Sequence, residues 1–358
     1  MEDNIEKIET GAKKAWPVIM SWVGGITALI GLFASVAAGV HWFTDQQKHK
    51  SERQATMNLA QAQAKQGEYQ ASIQTYAGIL KDDPLDRDVL DQQLATTMQW
   101  VENFHAPARA DQSSAEVAAA ALDQIMPILD AGLGRSKGSA AADVQAHIGW
   151  AHWLDQQIAE REFGPAAEQN FRAALATDPN NAYANGMLGN WMLHNGGSLP
   201  DAIQHLNLAV STGRARPFIR KLQLGGLIYH DEPGARAELI KAANDMRKNH
   251  EPIDATSKSR ILSFCFNPIV TNRTELVESL SAVPPDDAWQ TYLWIDDSPG
   301  DAGVQRAARE FIQANLLELS GKRQESLQQF RLLQKELANA PGSMKDSVDA
   351  AIARLAHT

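Results

Sequence analysis

The sequence predicts an all-α chain in which a single transmembrane helix precedes a solenoid of helical hairpins. Three observations carry that expectation. Residues 15–40 form an apolar stretch without one charged side chain. Downstream, small and aromatic residues recur at helical spacing, punctuated by Gly, Asp and Pro. No segment shows the sustained alternation of apolar and polar residues that marks a half-buried strand.

The 358 residues, 44% of them hydrophobic, suffice for one large domain or two modest ones. Residues 1–53 carry equal numbers of acidic and basic side chains, so the whole net charge of -10 belongs to residues 54–358. An acidic body lacks the cationic surplus that phosphate backbones and anionic lipid surfaces attract, which argues against nucleic acid as a partner. A basic or mixed protein surface suits it better. The single cysteine, Cys265 in ILSFCFNP, precludes an intrachain disulfide and a Cys-based metal cluster, and reads as a small buried apolar residue.

Taken in order, residues 1–14 are a short tail and 15–43 the transmembrane helix, which exceeds the ~20 residues needed to cross a hydrocarbon core. Trp16 and Trp22 near one end, with Trp42 and Phe43 at the other, fit interfacial anchors. The stretch is too long for the apolar core of a cleaved signal peptide, although Ser35-Val36-Ala37 resembles a cleavage site. Lys13-Lys14 is the basic cluster nearest the span and favours an inside N-terminus, placing the larger part of the chain in a periplasm-like space. Within the span Ser21, Gly24, Ala28, Gly31, Ser35 and Ala38 lie on one helix face, a stripe through which the chain would pack on itself or on another protein.

Residues 44–52 are a juxtamembrane linker, and 53–215 contain the clearest repeats, interrupted at 85–140 by an insert of two amphipathic helices, around Val89–Phe104 and Ser114–Leu133, closed by GLGRSKGSA. In 53–86 the marks are Leu59-Ala60, Gly67, Tyr69, Tyr76 and Pro84. Leu59 and Ala62, then Ile73, Tyr76 and Leu80 across the turn at Gly67, give two short helices apolar stripes. Further units carry Ala167, Phe171, Ala174 and Pro179, then Leu188-Gly189, Ala202, Leu206 and Ala209. Residues 216–300, broken by prolines, read as irregular helices. Residues 301–358 hold a last unit, with Ala314, Gly321 and Phe330, and a capping helix, MKDSVDAAIARLA.

These positions resemble the tetratricopeptide repeat (TPR), a helix-turn-helix unit of about 34 residues. Thr56, Ser72 and Ile79 depart from the family pattern, which has Trp at the first and Ala at the other two. The resemblance implies a TPR-like helical-hairpin solenoid whose first helices line a concave groove. Carried over position by position, the groove residues are Gln61 and Lys65, then Tyr183, Asn190 and His194, then Phe311, Asn315 and Glu318. Lys65 and His194 do not make the basic clamp that some TPR domains use for C-terminal carboxylates. The layout is similar to bacterial inner-membrane TPR proteins that accompany translocation or envelope-assembly machinery.

Catalytic and metal-binding patterns are weak. The cluster Gly132, Gly134 and Gly138 fits no phosphate-binding motif. His147 and His152 are five apart and face different ways on a helix. His230-Asp231-Glu232 reads as a loop entering a helix, and Asp296, Asp297 and Asp301 as turn and cap residues. Asp82-Asp83 before Pro84 reads as a helix boundary in which Asp83 or Asp86 caps the next helix, and Asp178-Pro179 repeats the pattern. Asn272-Arg273-Thr274 matches a glycosylation sequon only by pattern. The sequence therefore points to a non-enzymatic scaffold or adaptor that needs no cofactor or metal and binds one or more proteins or peptides. The alternative is an enzyme with a pocket in 216–300.

Overall fold

The computed structural model describes residues 47–104, 112–159, 166–213, 216–228, 230, 233–267, 273–296, 303–337 and 342–357. Among these every regular element is a helix. The expected transmembrane helix at 15–43 and its stripe of Ser21, Gly24, Ala28, Gly31, Ser35 and Ala38 lie outside the described residues. One described helix segment, Ser114–Arg135, is long and apolar enough to cross a membrane, with a mean hydropathy of 1.3. It carries Asp123 and Asp130, and it buries Ala118, Leu122, Ile125 and Leu129.

The chain divides into two compact units, up to Trp100 and from Val101 onward. The first contains α1 (47–65), α2 (Tyr69–Asp82) and most of α3 (Arg87–Glu102). Met57, Ala60, Tyr76 and Val89 form its core, with Ile79 and Leu80 packed alongside. The sequence assigns Leu59 and Ala62 to the apolar face of α1, but Leu59 is 53% exposed while Met57 and Ala60, three residues apart, take the core positions. Asp86 caps α3 by accepting from the Val89 amide at 3.3 Å. Arg53 grips the same carboxylate with its Nε at 2.6 Å and Nη2 at 2.8 Å.

The second unit runs through α4 (Gln112–Arg135), α5 (Ser139–Ala159), α6 (Ala166–Thr177), α7 (Ala182–His194), α8 (Leu199–Gly213), α9 (Pro217–Ile228), α10 (Pro233–Lys248) and α11 (Ala255–Cys265). It continues through α12 (Arg273–Leu280), α13 (Pro285–Ile295), α14 (Gly303–Leu319), α15 (Arg323–Glu336) and α16 (Ser343–Ala356). Contacts are between near neighbours in sequence. α5 pairs with α6, α7 with α8, α9 with α10 and α14 with α15, while α5 packs on α7, α7 on α9, α9 on α11 and α11 on α13. Gly132 and Gly134 are absorbed into α4, and only Gly138, at φ 58°, takes a turn conformation.

Four hairpins share one internal design. In α1–α2 and α14–α15 a buried serine on the second helix donates to a first-helix carbonyl twelve residues earlier, Ser72 to Ala60 at 2.7 Å and Ser326 to Ala314 at 2.8 Å. In α5–α6 and α7–α8 glycine replaces the first-helix alanine. A Cβ on Gly149 would stand 3.0 Å from the Ala167 carbonyl, and one on Gly189 would stand 2.9 Å from the Ala202 carbonyl. One turn further along the second helix Tyr76, Phe171, Leu206 and Phe330 plug the space, each essentially buried. Three of the turns also match. Gly67, Gly196 and Gly321 have φ of 81°, 71° and 77°, and amides at Glu68, Gly197 and Lys322 bond back to carbonyls five residues earlier.

Among the described residues, 216–300 contains five helices, and their order differs from that of the hairpins: α10 is the shared partner of α9, α11, α12 and α13. Pro217, Pro233 and Pro285 stand at the first position of α9, α10 and α13, where a missing amide hydrogen costs nothing. These three prolines begin helices and do not interrupt them.

Two outcomes follow from this packing. Gly189→Val should destabilise the second unit by about 1–3 kcal/mol, because backbone cannot retreat from the new side chain. Gly78→Ala, in α2 with nothing within 4 Å of the added carbon, should stabilise the first by about 0.5–1 kcal/mol. Denaturant midpoints read both. The hydrogen bond from Arg53, aided by the Val89 amide against the opposing effect of burial, holds the Asp86 carboxyl below its usual range. Its stabilisation is complete above the unfolded value and is lost as pH falls below it. From about pH 5 to about pH 3, wild type should therefore lose more stability than Asp86→Asn.

Candidate functional site

In the second unit α7 packs on α5, α6, α8 and α9. Its residues Ala182, Ala184, Gly186, Met187, Leu188 and Gly189 are buried, so it is enclosed on nearly all sides. Asn181 caps it, accepting from the Ala184 amide at 2.9 Å and donating to Asp143 Oδ1 of α5 at 2.7 Å. On the α9 side Asn190 Nδ2 donates to the Leu222 carbonyl at 2.8 Å. The helices approach there because Gly226 has no side chain: a Cβ would meet Leu193 Cδ1 at 2.9 Å.

Where α5, α7, α9 and the start of α11 come together they enclose a groove of about 560 Å³. α5 contributes Trp150, Trp153 and Leu154, and α9 contributes Phe218, Leu222 and Ile228, giving an apolar, largely aromatic floor. Two ring pairs define stations along it, Trp150 with Phe218 and Trp153 with His194, each with centroids 5.9 Å apart. Gly225 leaves the wall open, since an added Cβ would meet nothing within 4 Å. The rim is polar, with Glu102, Asn190, His194 and Lys221 joined by Asp254, Thr256, Ser257 and Arg260 near the start of α11. Asp254 caps α11, accepting from the Ser257 amide at 2.8 Å and its hydroxyl at 2.6 Å. Those bonds hold its carboxyl below the usual range.

Beside the groove lies a buried polar cluster. His147, fully buried, places Nδ1 2.7 Å from the Asp143 carbonyl and Nε2 3.2 Å from Glu102 Oε1. Its ring meets the Tyr183 ring edge-on at 4.5 Å, and the Arg216 guanidinium lies 4.4 Å over the other aromatic partner's centroid, that of Tyr183. Burial, then the adjacent Glu102 carboxylate, raise the Tyr183 hydroxyl far above its ordinary value, so it remains a donor. Glu102 thus belongs to both the cluster and the groove wall. The sequence reads His147 and His152 as facing different ways and unfit as a metal pair; the partner of His147, Glu102, is 45 residues away and no local spacing signals the pair.

The structure brings Asn190 and His194 to the groove and sets Tyr183 beside it through Phe218, 6.4 Å from its ring centroid. Gln61 and Lys65 belong to α1 in the first unit, half-buried and exposed respectively. Phe311 and Asn315 do not face a groove. Phe311 is 1% exposed and packs on Phe330, and the wholly buried Asn315 donates to the Phe311 carbonyl at 2.8 Å. Glu318 is consumed by ion pairs with Arg273 and Arg354.

Other chemistry-bearing residues are structural. Asp296 accepts from the Tyr292 hydroxyl and from Arg309, both at 2.8 Å, and burial together with that carboxylate pushes Tyr292 up to about 12. Cys265 is buried, and burial raises its thiol well above the normal range. Among the described residues no three His, Cys, Asp or Glu side chains converge as metal ligands. Asp297, Asp301, Asp231, Glu232 and Asn272 lie outside the described residues. No protein-family model matches this chain, and no curated protein matches it.

Proposed function

We propose that this chain is a membrane-anchored, TPR-like helical solenoid that serves as a protein-interaction scaffold, holding a segment of another protein in the groove bounded by α5, α7, α9 and α11. The observation that carries this reading is the groove's make-up, an aromatic floor with a rim of amide and charged groups on rigid helices. Such a surface suits capture of a peptide or a partner's helix. The solenoid reading draws support from the shared hairpin design and from packing between helices one to three apart in the chain. The role fits envelope assembly or protein translocation, with the anchor at 15–43 and the body outside the cytoplasm.

A second reading, an enzyme site in 216–300, draws on one observation: Lys221 and Ser257 from that region line the same groove, and desolvation lowers the Lys221 pKa.

Gly225→Leu should block the groove without disturbing the fold, because the new side chain enters open space. Affinity purification at native expression in mild detergent should recover a stable partner with wild type and lose it with this variant. A partner that survives the block assigns binding to another face. Deleting residues 1–43 should release the chain from the membrane fraction; retention would transfer the anchoring role to Ser114–Arg135.

A further inference from the structure

Hydrogen-bond accounting around the groove distinguishes its charged groups. The two carboxylates on its wall are engaged by donors from the chain itself. Asp254 holds the Ser257 amide and hydroxyl, and Glu102 lies against His147. Asn190 spends a donor on the Leu222 carbonyl, and His194 Nδ1 is 2.9 Å from the Asn190 carbonyl. Lys221 differs. Among the described residues it makes no ion pair within 4 Å and no hydrogen bond. The residue as a whole is exposed, yet loss of water around its ammonium lowers its pKa, with Asp254 and Glu102 acting in the opposite sense. Lysine offers three donors and no acceptor, so the group this position can hold is an acceptor, best a carboxylate.

The position of Lys221 says where along a bound segment that carboxylate stands. On α9 Phe218 lies one turn before it, and Gly225 and Ile228 one and two turns after. From Phe218 to Ile228 the helix spans about 15 Å. The Trp150–Phe218 station is at one end, and Leu154 and Ile228 add apolar surface elsewhere on the lining. A bound chain therefore continues on both sides of Lys221.

Resting on the groove reading above, we infer that the occupant is a partner-protein segment with an internal Asp or Glu flanked on both sides by large apolar side chains, its carboxylate pairing with Lys221 while the flanking groups sit on the aromatic floor. An internal side chain, not a chain terminus, supplies the anion.

Panning a random-peptide phage library on the full chain in detergent micelles, with Gly225→Leu as the counter-selection, tests this. Enriched sequences should carry Asp or Glu between Leu, Phe, Tyr or Trp. Synthesised with amidated C-termini, they should bind wild type and lose about tenfold in affinity when the acid becomes its amide or when Lys221 becomes Gln. Lys221→Glu should select basic residues at the same place. Enrichment without an acidic residue, unchanged affinity for Lys221→Gln, or a requirement for a free C-terminal carboxylate would each overturn the inference while leaving a peptide groove in place. No enrichment over Gly225→Leu would remove the groove reading itself.

Discussion

The close approach of two helices at one small residue organises this protein, because the hairpin core and the spacing of its neighbours follow from it. At Ala60, Gly149, Gly189 and Ala314 the first helix presents almost nothing, and the second helix sets Ser72, Ala167, Ala202 or Ser326 against it. A large side chain one turn on then fills what remains. Ser72 and Ser326 add a hydrogen bond to a carbonyl on the facing helix. A hydroxyl that donates to backbone is no burden in a core, which is how serine stands where the resembled family has alanine.

This constraint also shapes the groove. With α8 held close on one side of α7, and α9 seated through Gly226 and Asn190 on another, α7 contributes only Asn190 and His194 to the groove lining. The large groove-lining side chains come from α5 and α9. Glu102 adds to this arrangement, since the buried cluster with His147 and Tyr183 fixes a carboxylate on the groove wall.

Much of the hairpin design was legible because its signals are local. Gly67, Gly321 and the spaced pairs Ala60–Tyr76, Leu188–Leu206 and Ala314–Phe330 lie within single units and obey helical periodicity. The all-helical class followed for the same reason. What failed depended on register or on distant partners. Leu59 and Met57 differ by two positions on one helix, and apolarity alone could not say which turns inward. Phe311 and Asn315 sit at first-helix positions that the family resemblance assigns to a groove, but α15 covers that face of α14 through Phe330. Prolines at 217, 233 and 285 look alike in sequence whether they open a helix or end one. The groove itself was half visible: Asn190 and His194 came from the repeat pattern, whereas Trp150, Lys221 and Gly225 acquire their meaning only when α5 and α9 meet.

The paired glycines on α9 have a consequence for how this surface could diversify. Gly226 points inward, where any carbon would strike Leu193 and Asn190, while its neighbour Gly225 opens outward into empty space. Two adjacent positions of identical residue type therefore answer to unrelated demands. Substitutions at 226 are judged by whether the helices still meet; those at 225 change groove depth and leave the framework untouched. The shape of the groove can thus change one residue away from a fixed structural joint.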